Sequence, residues 1–141
     1  MDTASEGFSH GERLLLRTIR LLALQADCQG QRRCFETACG CAGEEAYRTL
    51  EVFVEQLRLN GQRRIVISVP PARTLTGDER TLVAAFAAAQ NDDYGELDAR
   101  LADLTATQPP ASLGGAVCLV AQVFAMRGLV LRGEAALSAA A

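Results

Sequence analysis

Four of the chain's five cysteines, Cys28, Cys34, Cys39 and Cys41, fall within the stretch CQGQRRCFETACGCAGEE. Thiols this close in sequence can bind a metal, form a disulfide, do redox chemistry, or serve as small apolar side chains. The helix expected over Gln31–Cys39 decides between these roles. It sets Cys34 and Cys39 about 140° apart around the axis and about 7.5 Å along it, so their Cα atoms lie about 9 Å apart. That is too far for a disulfide and poorly aimed for a shared metal. A lone C-x-C pair is not a zinc site, the chain has no C-x-x-C and only one histidine, His10, and the spacings match neither common iron–sulfur run. Cys34 and Cys39 flank Phe35 and Ala38 on an apolar arc, so the cysteines are read as packing residues, and no metal or cofactor is expected. Any reactivity in the Cys28–Cys41 cluster is assigned to Cys39 and Cys41. They stand just before the helix expected at Glu44, whose N-terminal partial charge favours a thiolate.

Other catalytic constellations lack parts. All 14 cationic side chains are arginine, which removes Schiff-base lysines and a P-loop lysine and points indirectly to a G- and C-rich, bacterial coding sequence. A catalytic triad would have to recruit His10. Glu51 and Glu55 are one helical turn apart, but the Glu-x-x-His pairs of a di-metal bundle are missing, so these acids, with Glu44, Arg48 and Arg58, form a solvated face. The chain is therefore expected not to be an enzyme. The remaining interaction candidate is the stripe Arg13, Arg17, Arg20, three guanidinium groups on one helical side that could meet phosphates or an acidic partner. The competing reading turns that stripe inward, onto the acidic side of the helix at 44–59, or to water.

Charge distribution bears on partners. Between His10 and Thr74, ten arginines face seven acids, whereas Leu75–Pro110 holds two arginines and seven acids; the net charge is −3. So diluted a basic surplus does not suit nucleic acid. The start of LTGDERTLVAAFAAAQNDDYGELDARLADL resembles, over about six residues, the opening of the helix-turn-helix domain of bacterial response regulators, which would imply a DNA-binding regulator. The expected recognition helix, however, is acidic and the one after it apolar. The N-terminus begins with Asp2 and Glu6 and its first apolar run is broken by Arg17 and Arg20, so no secretory signal is read and a cytoplasmic location is expected. Leu113–Leu131 is apolar, but Gln122 and Arg127 interrupt it, which favours a buried helix over a membrane span.

These candidates must be positioned by helices. A hydrophobic fraction of 49% with few aromatics means a core of Ala, Leu and Val, and 141 residues make one domain with no internal repeat. Periodicity places helices at Glu12–Ala26, with Leu15, Ile19 and Leu22 inward, at Gln31–Cys39, closed by Gly40, and at Glu44–Leu59, with core stripe Ala46, Leu50, Phe53 and Leu57. RIVISV at 64–69 alternates and ends at Pro70–Pro71, so it is one short strand or an extended connector; a strand would need a partner, which a second copy could supply. Thr76–Glu79 matches a capping box that opens a helix to Gln90, with Leu82, Val83, Phe86 and Ala87 inward. Tyr94, Leu97, Leu101 and Leu104 define a returning helix, and Ser112 caps a final helix to Arg132, central in the monomer or forming a dimer seam. The expectation is an all-α, single-domain bundle of about six helices with one extended segment, loose at 1–9 and 134–141. It is expected to be a homodimeric protein-interaction or regulatory module; the alternatives are a thiol redox or metal protein and a DNA-binding regulator.

Overall fold

The structure is a computed structural model and describes residues 8–26, 28–69 and 74–133. The expected loose ends at 1–7 and 134–141 and the stop at Pro70–Pro71 lie outside those residues. The protein is a single all-α domain: α1 His10–Ala23, α2 Gln29–Cys39, a 3-10 turn Gly40–Ala42, α3 Gly43–Asn60, α4 Gly77–Gln90, α5 Tyr94–Thr105 and α6 Ala111–Met126.

Two capping boxes set the main entries. At α1 the Ser9 hydroxyl accepts from Glu12 N at 3.1 Å and the Glu12 carboxylate accepts from Ser9 N at 2.8 Å. At α4 Thr76 and Glu79 repeat the exchange at 3.0 and 2.9 Å. The first box starts α1 two residues before the expected Glu12, and Phe8 ahead of it is buried against Leu16 and Val83, so residues 8 and 9 are ordered parts of the fold rather than a loose lead. α1 ends three residues early because Gln25 turns left-handed, with φ 58.

The core stripe of α3 is Ala46, Leu50, Phe53 and Leu57, all buried as expected. Each large apolar side chain removed from water contributes about 1.5–3 kcal/mol. The central helix is α4, in which every residue from Thr81 to Ala89 is buried, and not the segment Ser112–Arg132. Five alanines there let α5 and α6 approach its backbone closely. α6 stops at Met126 because Arg127 leaves helical geometry and Gly128 turns left-handed at φ 71. Its N-cap is Pro110, so Ser112 does not cap; its hydroxyl donates to Gln56 Oε1 at 3.1 Å. Tyr94 is exposed and donates to Asp92, leaving Leu97, Leu101 and Leu104 as the inward face of α5.

Residues 64–69 are extended, and the described residues contain no strand. On one edge of the segment, the backbone groups a lone strand would orphan are met by the start of α4. Val66 N donates to Asp78 Oδ2 at 2.7 Å, Ser68 N to Glu79 Oε2 at 3.1 Å, and the Thr76 hydroxyl to Val66 O at 2.6 Å. That edge is satisfied within one chain and takes no pairing strand.

The chain also contains a repeat that the sequence reading missed. α1 and α4 have the same length, 14 residues, and both open with a capping box. Both close identically: Leu24 N to Arg20 O matches Asn91 N to Ala87 O, Gln25 N to Leu22 O matches Asp92 N to Ala89 O, and Ala26 N to Leu21 O matches Asp93 N to Ala88 O. Gln25 and Asp92 share a positive φ, 58 and 59. Ala46, Leu50, Phe53 and Leu57 of α3 correspond to Leu113, Val117, Val120 and Phe124 of α6, all buried. Each third helix then leads into an extended strap, 64–69 or 129–133, that docks on the other half. Val130 O accepts from the Ser9 hydroxyl at 2.5 Å and Arg132 N donates to Glu12 Oε2 at 2.9 Å, as Val66 and Ser68 do with Thr76 and Glu79. The two halves therefore hold each other through exchanged straps.

Gly43 shows how tightly α2 meets α3. A Cβ there would overlap the Glu36 carbonyl oxygen and lie 2.7 Å from the Glu36 Cα, both backbone atoms that cannot swing away. Gly43→Ala is expected to lower stability by about 1–3 kcal/mol despite its better helix propensity. Gly30→Ala, in open space near the start of α2, is expected to raise it by about 0.5–1 kcal/mol. Urea unfolding of both variants checks the opposite signs.

Candidate functional site

A groove of about 700 Å³ opens between the end of α1, the end of α3 and the first strap. Ile19 of α1 and Leu82 of α4 form its apolar floor, Val54 and Leu57 of α3 one wall, and Ile65 and Ile67 of the strap the other. The alternation of RIVISV explains that wall. Ile65 and Ile67 are half-buried and pack on the core, while Val66 and Val69 are exposed. Ala23 and Leu24 form the lip at the α1 end, with Leu24 49% exposed.

The polar part of the groove is arginine. Arg58 is exposed and paired with Glu55 at 2.6 Å, and Arg63 grips Asp78 at 2.6 Å and the Asp103 carbonyl at 2.8 Å. Arg64 is exposed and has no ion-pair partner among the described residues. Beneath them lies a buried ion pair. Arg20 Nε donates to Glu79 Oε2 at 2.7 Å and Arg20 Nη2 to Oε1 at 3.0 Å, while Nη2 also donates to Thr74 O at 3.1 Å. Burial alone would push the Glu79 carboxyl up, but the Arg20 hydrogen bonds, the Thr76 and Ser68 amides and the charge of Arg20 outweigh it and hold the carboxyl below its ordinary value. Asp78 is also held low, chiefly by its hydrogen bond from Arg63.

The arginine stripe is therefore broken. Arg13 and Arg17 are exposed, Arg13 donating to Phe8 O at 3.1 Å, but Arg20 is buried because the first turn of α4 covers α1 at that level. Its charge faces Glu79 of α4 rather than the acidic face of α3. No patch of three free guanidinium groups forms on α1.

The cysteines separate as well. Cys39 is buried and its thiol is pushed up to about 11 by desolvation, which the nearby Arg127 only partly offsets. That thiol stays protonated at neutral pH, which leaves Cys41, exposed in the 3-10 turn, as the accessible member of the pair. Cys34 is exposed too, against its reading as filler, because the buried arc of α2 runs through Gln31, Phe35 and Cys39 and leaves its neighbour outside. Among the described residues no three His, Cys, Asp or Glu side chains are grouped so as to hold a metal. Among them also, no helix is long and apolar enough to cross a membrane.

Comparison with protein-family models, with curated proteins and with solved structures finds no match.

The first turn of α4 also sets a pH dependence. Asp78 and Glu79 bind protons less readily folded than unfolded, so their contribution is fully present well above the unfolded carboxylate values of about 4. It is lost as pH falls through them towards the lower folded values. The urea midpoint is expected to be flat from about pH 6 to 7 and to fall below about pH 4.5. Asp78→Asn should flatten part of that decline; an unchanged slope would assign it to other carboxylates.

Proposed function

We propose that the protein is a small, non-enzymatic interaction module of the cytoplasm whose contact surface is the arginine-rimmed groove at the first strap. The observation that carries this reading is the combination of an aliphatic floor with cationic rim groups, of which Arg64 is free to engage an acidic partner. The scaffold around it is fixed by the exchanged straps and by the Arg20–Glu79 pair, so the groove is presented preformed, at little ordering cost. Capture from the source cell with the native chain and with an Arg58→Glu/Arg64→Glu variant tests it. Both positions are exposed, so the variant should fold. A stoichiometric partner is expected with the native chain and absent with the variant; recovery of the same proteins by both, or of none, overturns the assignment.

A further inference from the structure

The internal repeat shows what the groove is built to hold. In the second half of the chain, the space between the end of α4, α6 and the second strap is filled by the carboxamide of Gln90. Its Nε2 donates to Leu129 O at 2.9 Å and lies 3.4 Å from Ala121 O, while its Oε1 accepts from Leu131 N at 2.7 Å. In the first half the last residue of the helix is Ala23, which cannot reach. The counterparts of Ala121, Leu129 and Leu131 are Val54, Ile65 and Ile67, and with Ala23 they all line the groove. Val66 and Ser68 turn their amides to the start of α4, so in an extended strap Ile65 and Ile67 turn theirs the opposite way. Among the described residues, Ile65 O and Ile67 N have no hydrogen-bond partner.

We propose that this groove binds an extended peptide segment, acidic then aliphatic, which pairs through its own backbone with the Ile65 carbonyl and the Ile67 amide. The pattern sets the orientation. A strand running parallel to its neighbour offers the N–H and C=O of a single residue to a carbonyl and to the amide two residues further on, which is what the Gln90 carboxamide imitates. Arg64, exposed and without an ion-pair partner among the described residues, precedes Ile65 on the strap and lines the groove, so in a parallel segment the acidic residues precede the paired residue. Aliphatic side chains then meet the floor of Ile19 and Leu82. The inference rests on the interaction-module reading and specifies its ligand.

The probes are acetylated, amidated pentapeptides with two acidic residues followed by three aliphatic ones, titrated into the full ¹⁵N-labelled chain. Binding should move the Ile67 amide proton downfield and slow its exchange. N-methylating the central peptide amide, which removes the donor to Ile65, should weaken binding about tenfold. Ala23→Gln restores the missing carboxamide and should abolish binding while raising the thermal midpoint. The reversed peptide, acids last, should bind more weakly. No binding, an unmoved Ile67 amide, full affinity of the N-methylated peptide, or full affinity for Ala23→Gln each overturns the proposal. Concentration-dependent dimerisation lost in Ala23→Gln would make a second copy the occupant and overturn it as well. If these results are negative while Arg58→Glu/Arg64→Glu still releases a captured partner, the module reading stands with another binding mode.

Discussion

Glu79→Gln is expected to lower the free energy of unfolding by about 3–5 kcal/mol, because it removes the carboxylate charge that balances the buried Arg20 guanidinium. The carboxylate accepts four hydrogen bonds at once. It takes two hydrogen bonds from Arg20, closes the α4 capping box on Thr76 N, and holds the first strap through Ser68 N. A carboxamide offers only one acceptor, and its amino group would face donors. Glu12 is the internal control, since it fills the equivalent place at α1 and accepts from Ser9 N, Arg132 N and Gly133 N. Its charged partner, Arg132, is 41% exposed, so water can take over that charge and Glu12→Gln should cost only about 1–2 kcal/mol. The difference between the two variants isolates the buried charge from the cap. Arg20→Met/Glu79→Met removes both charges but leaves the Thr76 and Ser68 amides without their acceptor, so its stability should fall between the native chain and Glu79→Gln. Equal losses for Glu12→Gln and Glu79→Gln in urea would show that the ion pair adds nothing beyond capping.

The comparison of the two glutamates also shows where sequence reading stops. The Thr76–Glu79 box was legible because a strongly periodic helix follows it. The Ser9–Glu12 box has the same form, yet His10 and Gly11 inside it read as a polar lead. α6 was drawn too long because Leu129, Val130 and Leu131 of the second strap continue its apolar run, and only the Arg127–Gly128 turn separates them. α3 was legible from end to end, since one face carries the core stripe and the other the charges. The repeat was hidden because equivalent positions share geometry rather than identity: Ile19 stands for Phe86, Ala46 for Leu113, Ala23 for Gln90. The groove could not be read at all, since its floor, walls and rim come from α1, α3, α4 and the strap, which adjoin only in the folded chain. For the same reason Arg20, in register with Arg13 and Arg17 on a helical wheel, looked available. Its burial depends on where α4 crosses.

Phe35→Ala is the second large effect, and it links the core to the cysteines. α2 is a poor helix on its own, with Gly30 near its start, an N-cap, Cys28, that makes no side-chain hydrogen bond, and no Leu. Its place in the fold depends on Phe35, fully buried, with its ring 5.7 Å from both the Tyr47 ring of α3 and the Phe124 ring of α6. Truncation removes the ring contacts and leaves a cavity at the junction of three helices, costing about 3–5 kcal/mol. Because Cys39 lies one turn along the same buried arc, the loss should appear first as local opening of α2 rather than only as a lower global midpoint. In the native chain a neutral thiol reagent at pH 8 should label Cys34 and Cys41 quickly and Cys39 slowly, as expected of a buried thiol held near 11. In Phe35→Ala, Cys39 labelling should accelerate by at least about tenfold under conditions where α3 and α4 remain protected from hydrogen exchange. Unchanged Cys39 labelling at a reduced global stability would mean that α2 opens only with the whole domain, and that the arc through Gln31, Phe35 and Cys39 is as firmly held as the α3–α4 core around Phe53 and Phe86.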